Sequence, residues 1–175
     1  MNSDTDSKPD TLALTYAAWL TRLWLAVRAI QTGVEKFAGK VSSEQVVNID
    51  GAPNDYDLTA STAEKAYSLS NYHGVPAALY EKFAGEPLIP GFFLKFYDMV
   101  LGPALLILGF AILLGIASRT ALFLLGALYI SLTWGLILLG EPGNAGVAWL
   151  AAHMILIVFG LQLSRHNKLC LLKKW

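Results

Sequence analysis

Four residues whose side chains can take part in chemistry lie within largely apolar stretches of this 175-residue sequence: Arg28, Gln31, Asp98 and His153. A charged side chain at the centre of a bilayer costs at least about 2.5 kcal/mol, so it normally faces a partner or a cavity. At a helical rise of about 1.5 Å per residue, these residues lie at a similar depth in the outer half of the membrane. We therefore predict an Arg28–Asp98 ion pair, with His153 and Gln31 within hydrogen-bonding or water-bridged reach.

This predicted polar layer has two interpretations. In the first, the polar groups satisfy one another and lock the helices together, without any chemistry. In the second, they line a lateral pocket for a quinone-like lipid, whose carbonyl oxygens need donors and whose reduction needs a titratable group. Histidine suits that role because its charge changes near neutral pH. Three aromatic residues close to the layer in sequence would then supply a stacking wall: Tyr97, Trp134 and Trp149.

Four transmembrane helices are predicted to position these residues. A helix needs about 20 mostly apolar residues to cross the hydrocarbon layer, and such segments cover residues 16–37, 92–114, 121–139 and 147–163. The first is more polar than the others, but it keeps helical periodicity and contains no proline. The sequence thus predicts an all-α integral membrane protein, folded as a four-helix bundle.

The remaining segments define the predicted organisation and orientation. We expect a flexible leader over residues 1–11 and a single membrane domain over residues 12–175. A long loop covers residues 38–91, and a tail covers residues 164–175. The tail contains four Lys and Arg residues and no acidic residue, and basic segments favour the cytoplasmic side. Both termini are therefore predicted to be cytoplasmic, and the long loop extracytoplasmic.

Two parts of the long loop have helical signals. Residues 63–69 are prone to form a helix, and residues 75–83 form an amphipathic stretch. An amphipathic helix with one apolar face can lie at the membrane surface. We expect the second segment to occupy that position.

Small residues indicate where the helices approach one another, because they allow close contact between backbones. Ala26 and Gly33 belong to a stripe of small residues on the first predicted span. Ala127, Ser131 and Gly135 form a second row on the third span, which we expect to face a partner subunit.

Several other kinds of chemistry are not expected. The single cysteine, Cys170, excludes an internal disulfide, and the zero net charge gives no reason to expect nucleic acid. A bis-histidine haem needs two intramembrane histidines, and only His153 qualifies. No metal-ligand spacing is present. We thus expect no metal, no haem and no covalently bound cofactor.

Short motifs resemble those of DoxX-like membrane proteins. The first predicted span carries Arg22 followed by leucine, and later Gly33, two residues and Lys36, which is similar to the opening helix of that family. Residues 113–121 resemble its Leu-Leu-Gly…Thr-Arg turn. Asp98 stands where the family often has an acidic residue early in the second helix. Arg28, by contrast, replaces an apolar residue that is usual in the family.

The resemblance implies a four-helix subunit of a quinone-linked redox or respiratory complex. One branch, DoxD, is the large subunit of thiosulfate:quinone oxidoreductase. The expected setting is the plasma (inner) membrane of a bacterium or archaeon, with other membrane subunits as partners and quinone as the cofactor. Other relatives lack proven catalysis or act in assembly. The alternative is therefore a non-catalytic structural or assembly subunit that docks onto a larger membrane complex, and enzyme status stays open.

Overall fold

A computed structural model of the chain describes residues 10–49, 52–53, 56, 58–140, 145–168 and 170–171, and helices dominate it. The helices are α1 (Thr11–Glu35), α2 (Ala77–Ala84), α3 (Gly91–Leu114), α4 (Ser118–Leu138) and α5 (Ala145–Leu163). Four strands lie between α1 and α2, namely β1 (Ala38–Val46), β2 (Asn48–Ile49), β3 (Ala52–Pro53) and β4 (Thr59–Tyr67). Single 3₁₀ turns occur at Leu69–Asn71 and Ser164–His166.

Helix α1 begins earlier than the predicted start at residue 16. The Asp10 carboxylate accepts hydrogen bonds from the backbone N–H groups of Leu12 (3.0 Å) and Ala13 (3.1 Å). Such an N-cap satisfies donors that would otherwise lack a partner, so the helix can begin at Thr11. Most of the predicted leader, residues 1–9, lies outside the described residues, as do residues 141–144 between the last two predicted spans.

The four long helices pack around a common apolar core. Helix α1 contacts α3 and α5, and α4 contacts the same two helices. The largest fully buried apolar side chains come from all four helices: Leu25, Leu105, Ile112, Leu125, Tyr129 and Ile157. The chain is thus mostly helical, with four long helices packed together.

Three of these helices are long and apolar enough to cross a membrane: Gly91–Leu114, Ser118–Leu138 and Ala145–His166. They indicate a membrane protein. Helix α1 has 25 residues, but it is less apolar than these three helices, because it carries Arg22, Arg28 and Glu35. Of the four predicted spans, the last three correspond to helices with the character of a membrane span.

The loop between α1 and α2 differs from its prediction, because residues 63–69 do not form a helix. Strand β4 covers most of that segment and pairs antiparallel with β1, from Ala38 opposite Tyr67 to Val46 opposite Thr59. Helix propensity is a weak preference that pairing with another strand readily overrides. The all-α prediction therefore fails for this loop. The amphipathic prediction for residues 75–83 corresponds to α2.

The β1–β4 hairpin is joined to the end of α1 by side chains. Lys65 on β4 forms an ion pair with Glu35, and the Tyr67 hydroxyl donates to the same carboxylate at 3.2 Å. The hydrogen bond to Glu35 raises the pKa of the Lys65 ammonium. Both residues are largely exposed, so the pair orients the hairpin and adds little stability.

The closest helix contact is between α1 and α3, and glycine makes it possible. A Cβ at Gly109 would lie 2.7 Å from Ile30 Cγ1 and 3.0 Å from the Ile30 backbone nitrogen. Ala26 and Gly33, predicted as packing residues, are both buried on the α1 side of this interface, where Gly33 lies against Leu106. The stripe of small residues on α1 thus packs within the chain.

We expect Gly109→Ala to lower the free energy of unfolding by about 1–3 kcal/mol, because the added methyl group forces α1 and α3 apart. Gly126→Ala on α4 is the matched control. Its Cβ would lie 3.4 Å from Ile157 Cγ2, a side-chain atom, and alanine also favours a helix. Thermal unfolding in detergent measures both variants. Equal melting temperatures for them would contradict the close α1–α3 contact.

Candidate functional site

The predicted ion pair between Arg28 and Asp98 is wrong. Arg28 donates from Nη1 to Gln31 Oε1 at 2.6 Å, and its guanidinium carbon lies 5.1 Å from the ring centroid of Trp149. Asp98 instead accepts a hydrogen bond from the Val75 backbone N–H at 2.6 Å. The depth of a residue along a helix gives its level but not its direction, and here the two side chains point to different neighbours.

Asp98 belongs to an anchor for the segment that precedes α2, residues 72–76, which we call the strap. Pro103 lies inside α3, and because proline has no N–H, the Met99 carbonyl four residues earlier loses its helical donor. The Tyr72 hydroxyl lies 2.9 Å from that carbonyl and 2.7 Å from the carbonyl of Asp98. It also accepts from the Gly102 N–H at 3.2 Å. The strap thus completes the interrupted hydrogen bonding of α3.

The environment of Tyr72 agrees with this anchoring role. Burial raises the pKa of its phenol, so the hydroxyl keeps its one proton and can donate it to either of the two carbonyls. Its ring packs on Phe37, with the ring centroids 4.8 Å apart. The absence of a side chain on Gly102 admits the ring, since a Cβ there would lie 2.6 Å from Tyr72 Cε2.

His153 is buried, with 4% of its surface exposed, and both of its ring nitrogens have partners. Nε2 lies 3.3 Å from Trp24 Nε1, and Nδ1 lies 2.8 Å from the Trp149 carbonyl oxygen. Because an indole N–H can only donate, Nε2 must accept and Nδ1 must carry the proton. The imidazole also stacks on Trp149, with the ring centroids 3.8 Å apart. His153 is therefore a neutral, fully bonded part of the helix packing.

Arg28 and His153 thus meet at Trp149, with Gln31 beside Arg28, and we call the group of Trp24, Arg28, Tyr129, Trp149 and His153 the aromatic cluster. Tyr129 completes it, with its ring centroid 6.0 Å from that of Trp149 and 6.1 Å from that of His153. Of the four residues in the predicted layer, three lie at or beside this cluster, and Asp98 does not.

A cavity of about 340 Å³ adjoins the cluster. It lies where the end of α1 meets the first half of α3, the end of α4 and the start of α5. Of the aromatic cluster, Trp149 lines this cavity. All three residues of the predicted stacking wall, Tyr97, Trp134 and Trp149, line this cavity, whereas Arg28, Gln31, Asp98 and His153 do not. The residues predicted as an aromatic wall therefore do line a cavity. The residues predicted as its polar groups do not line it.

Helix α2 and the strap close one side of the cavity. Leu79 and Phe83 on α2 line it together with Gly74, Val75 and Pro76, and the Phe83 ring packs against Gly135, where a Cβ would lie 3.4 Å away. The amphipathic pattern of α2 was predicted from the sequence, but its position over a cavity was not. Its apolar side faces the cavity.

The row predicted to face a partner subunit is divided in the structure. Gly135 is half-buried under Phe83, and the Ser131 hydroxyl is bonded within the chain, to the Tyr97 hydroxyl and the Leu128 carbonyl, at 2.7 Å each. Ala127 is exposed. Of these three residues, only Ala127 is exposed and makes no such contact with the described residues.

The chemical character of the cavity is apolar with a few polar groups. Thr32, Lys36, Tyr97 and Ser131 contribute polar atoms, and Lys36 is the only charged side chain among the described residues that line the cavity. The sequence pattern placed Lys36 merely at the end of a stripe of small residues. No group of three or more His, Cys, Asp and Glu side chains is placed to hold a metal ion in the described part of the chain.

Comparisons with known proteins find no matching family model, no similar curated protein and no similar solved structure. The chemistry of the cavity therefore has to be argued from its own residues.

Proposed function

We propose that this chain is a four-span, DoxX-like membrane subunit of a quinone-linked redox complex, and that its cavity binds the quinone. The observation that carries this proposal is the aromatic-walled cavity of about 340 Å³. Small-molecule sites are commonly apolar pockets of about 300–1,000 Å³ with a few placed polar groups. A quinone head has flat faces that stack on aromatic rings and carbonyl oxygens that accept hydrogen bonds.

The position of the cavity supports a ligand that arrives from the membrane. Trp134, Leu88 and Phe93 line the cavity and are also 63%, 68% and 48% exposed. Because α3 and α4 have the composition of membrane spans, Trp134 and Phe93 are on surfaces that lipid would contact. A membrane-dissolved quinone can enter from that side without crossing water.

The packing of α1 supports its role as the fourth span. Its 25 residues extend about 37 Å at 1.5 Å per residue, enough to cross the hydrocarbon layer. The charged side chains of α1 either contact other parts of the protein or lie near an end of the helix. Arg22 bonds to the Leu113 carbonyl (2.8 Å) and to Asn167 (2.7 Å), and Arg28 lies over Trp149.

The orientation and setting follow from the same proposal. The basic tail supports a cytoplasmic location for both termini, with the hairpin, the strap and α2 on the outer side of the plasma (inner) membrane of a bacterium or archaeon. The chain itself would bind and orient the quinone. Electrons would come from a neighbouring subunit, since we expect no covalently bound carrier in this one.

The test is to purify the protein in detergent, extract it with organic solvent and look for quinone by its absorbance and its reduction by borohydride. The purified protein is then titrated with a decyl-benzoquinone in lipid nanodiscs, and the fluorescence of its five tryptophans is followed. We expect extracted quinone and saturable quenching. A protein without extractable quinone, and with quenching that only rises linearly, would contradict the proposal.

A second candidate, a non-catalytic structural or assembly subunit, is favoured by the aromatic cluster. His153 has both nitrogens bonded, and Arg28 is covered by Trp149, so neither is poised for proton transfer. Such a chain would co-purify with other membrane subunits but carry no quinone. The same extraction therefore separates the two candidates.

A further inference from the structure

Lys36 is fixed at its base, and among the described residues its ammonium has no hydrogen-bond or ion-pair partner. Its backbone N–H bonds to the Gly33 carbonyl at 3.2 Å, and its carbonyl accepts from the His73 N–H at 2.9 Å. Its Cβ packs against α3 near Gly102. The side chain is half-buried and lines the cavity. Within the described part of the chain, its ammonium makes no hydrogen bond or ion pair.

Two acidic residues near Lys36, both in the described part of the chain, are engaged elsewhere. Glu35, its neighbour in sequence, pairs with Lys65. Asp98 interacts electrostatically with Lys36, but no ion-pair contact joins them, and its Oδ1 accepts from the Val75 N–H. A cation at an apolar wall without a direct partner is costly, so the site favours an acceptor supplied by a ligand.

A ligand with an oxygen acceptor needs a hydrogen-bond donor in the cavity wall. The protons of the hydroxyl groups there are already donated within the protein. Thr32 donates to the Arg28 carbonyl at 2.8 Å, and Ser131 donates to the Leu128 carbonyl. Tyr97 must then donate to Ser131, because their oxygens are 2.7 Å apart and the Ser131 proton is already used. With these protons engaged, Lys36 is the charged donor available at the wall.

We infer that Lys36 binds an oxygen of the cavity's ligand, while the ligand's ring lies among the aromatic walls. This inference rests on the proposed function and assigns the head-group donor of that site to Lys36, in place of the Arg28, Asp98 and His153 set predicted from sequence. The shared chemistry is an amphiphile whose head carries an oxygen acceptor. A quinone carbonyl supplies it without charge, and a fatty-acid carboxylate supplies it with charge.

The experiment compares the full-length protein with Lys36→Met and Lys36→Arg in nanodiscs. Methionine keeps the length and apolar stem of lysine but removes the donor, and arginine keeps a charged donor. Lys95→Met is the matched control, since Lys95 is an exposed lysine on α3 that does not line the cavity. Each protein is titrated with a decyl-benzoquinone and, in a separate direct titration, with dodecanoate.

We expect Lys36→Met to weaken quinone binding about tenfold, as the loss of one charge-assisted hydrogen bond implies. Lys36→Arg should restore most of the affinity, and Lys95→Met should leave it unchanged. Wild-type affinity in Lys36→Met would overturn the assignment while leaving quinone binding intact. If the wild type binds no quinone but binds dodecanoate through Lys36, the proposed function fails and the Lys36 site is upheld with an anionic ligand. If neither ligand binds, both proposals fail.

Discussion

Gly74→Ala is expected to release the strap from α3 and to open the cavity. A Cβ at this position would lie 1.9 Å from the Asp98 carbonyl oxygen, 2.7 Å from its carbon and 3.0 Å from its Cα. These are backbone atoms of a helix, so they cannot rotate away as the end of a side chain can. The strap must move, and the Val75 N–H then loses the Asp98 carboxylate. We expect a loss of about 3 kcal/mol, near the upper end of what overpacking typically costs.

Two measurements detect the release of the strap in the Gly74→Ala protein. Trypsin should cleave faster at Lys82, an exposed residue of α2, and the saturable quenching by quinone should be lost as Phe83 leaves the wall. Gly85→Ala is the control on the same segment, because the nearest atom to its Cβ would be 3.6 Å away. A Gly74→Ala protein with unchanged cleavage and unchanged quenching would show that α2 does not depend on the strap.

The helices and the aromatic wall could be predicted because they follow from local properties of the sequence. Long apolar runs identify α3, α4 and α5 regardless of their neighbours. Tyr97, Trp134 and Trp149 were expected close to one level of the membrane, and in the structure all three line one cavity. The early start of α1 was harder to predict, since it depends on one capping side chain, that of Asp10.

The polar contacts could not be predicted because they depend on the direction in which each helix turns its side chains. Arg28 and Asp98 lie at comparable depths, yet one faces Trp149 and the other faces the strap. A signal for the strap was present in Pro103, whose missing N–H requires a substitute near Met99. That the substitute is Tyr72 is a long-range contact, and one sequence alone does not reveal it.

The β1–β4 hairpin of the outer loop also depends on a contact that is distant in sequence, so it was not predicted. Residues 63–69 contain alanine, glutamate and lysine, which favour a helix in isolation. Pairing with β1, including a 2.9 Å hydrogen bond between the Ser43 and Thr62 hydroxyls, stabilises a strand instead. The partner strand is about twenty residues away along the chain, beyond the reach of local propensity.

Trp149→Ala is expected to have the largest effect on stability, because one ring serves both the aromatic cluster and the cavity. Trp149 stacks on His153 at 3.8 Å and covers the Arg28 guanidinium at 5.1 Å. Trp149 is half-buried and packs against the apolar core, so its loss enlarges the cavity and removes the ring that shields the cation. Replacing a packed tryptophan by alanine typically costs about 3–5 kcal/mol. Quinone binding should also weaken, since the same ring forms part of the wall.

Trp134→Ala separates these two roles, because Trp134 lines the same cavity but is 63% exposed. Truncating it removes part of the wall without opening the core, so quinone binding should weaken while the melting temperature stays near that of the wild type. Thermal unfolding and quinone titration of both variants give the comparison. If Trp134→Ala unfolds at as low a temperature as Trp149→Ala, the aromatic cluster is not what holds α5 against α1. If Trp134→Ala binds quinone as tightly as the wild type, the ligand does not lie against the lipid-facing side of the cavity.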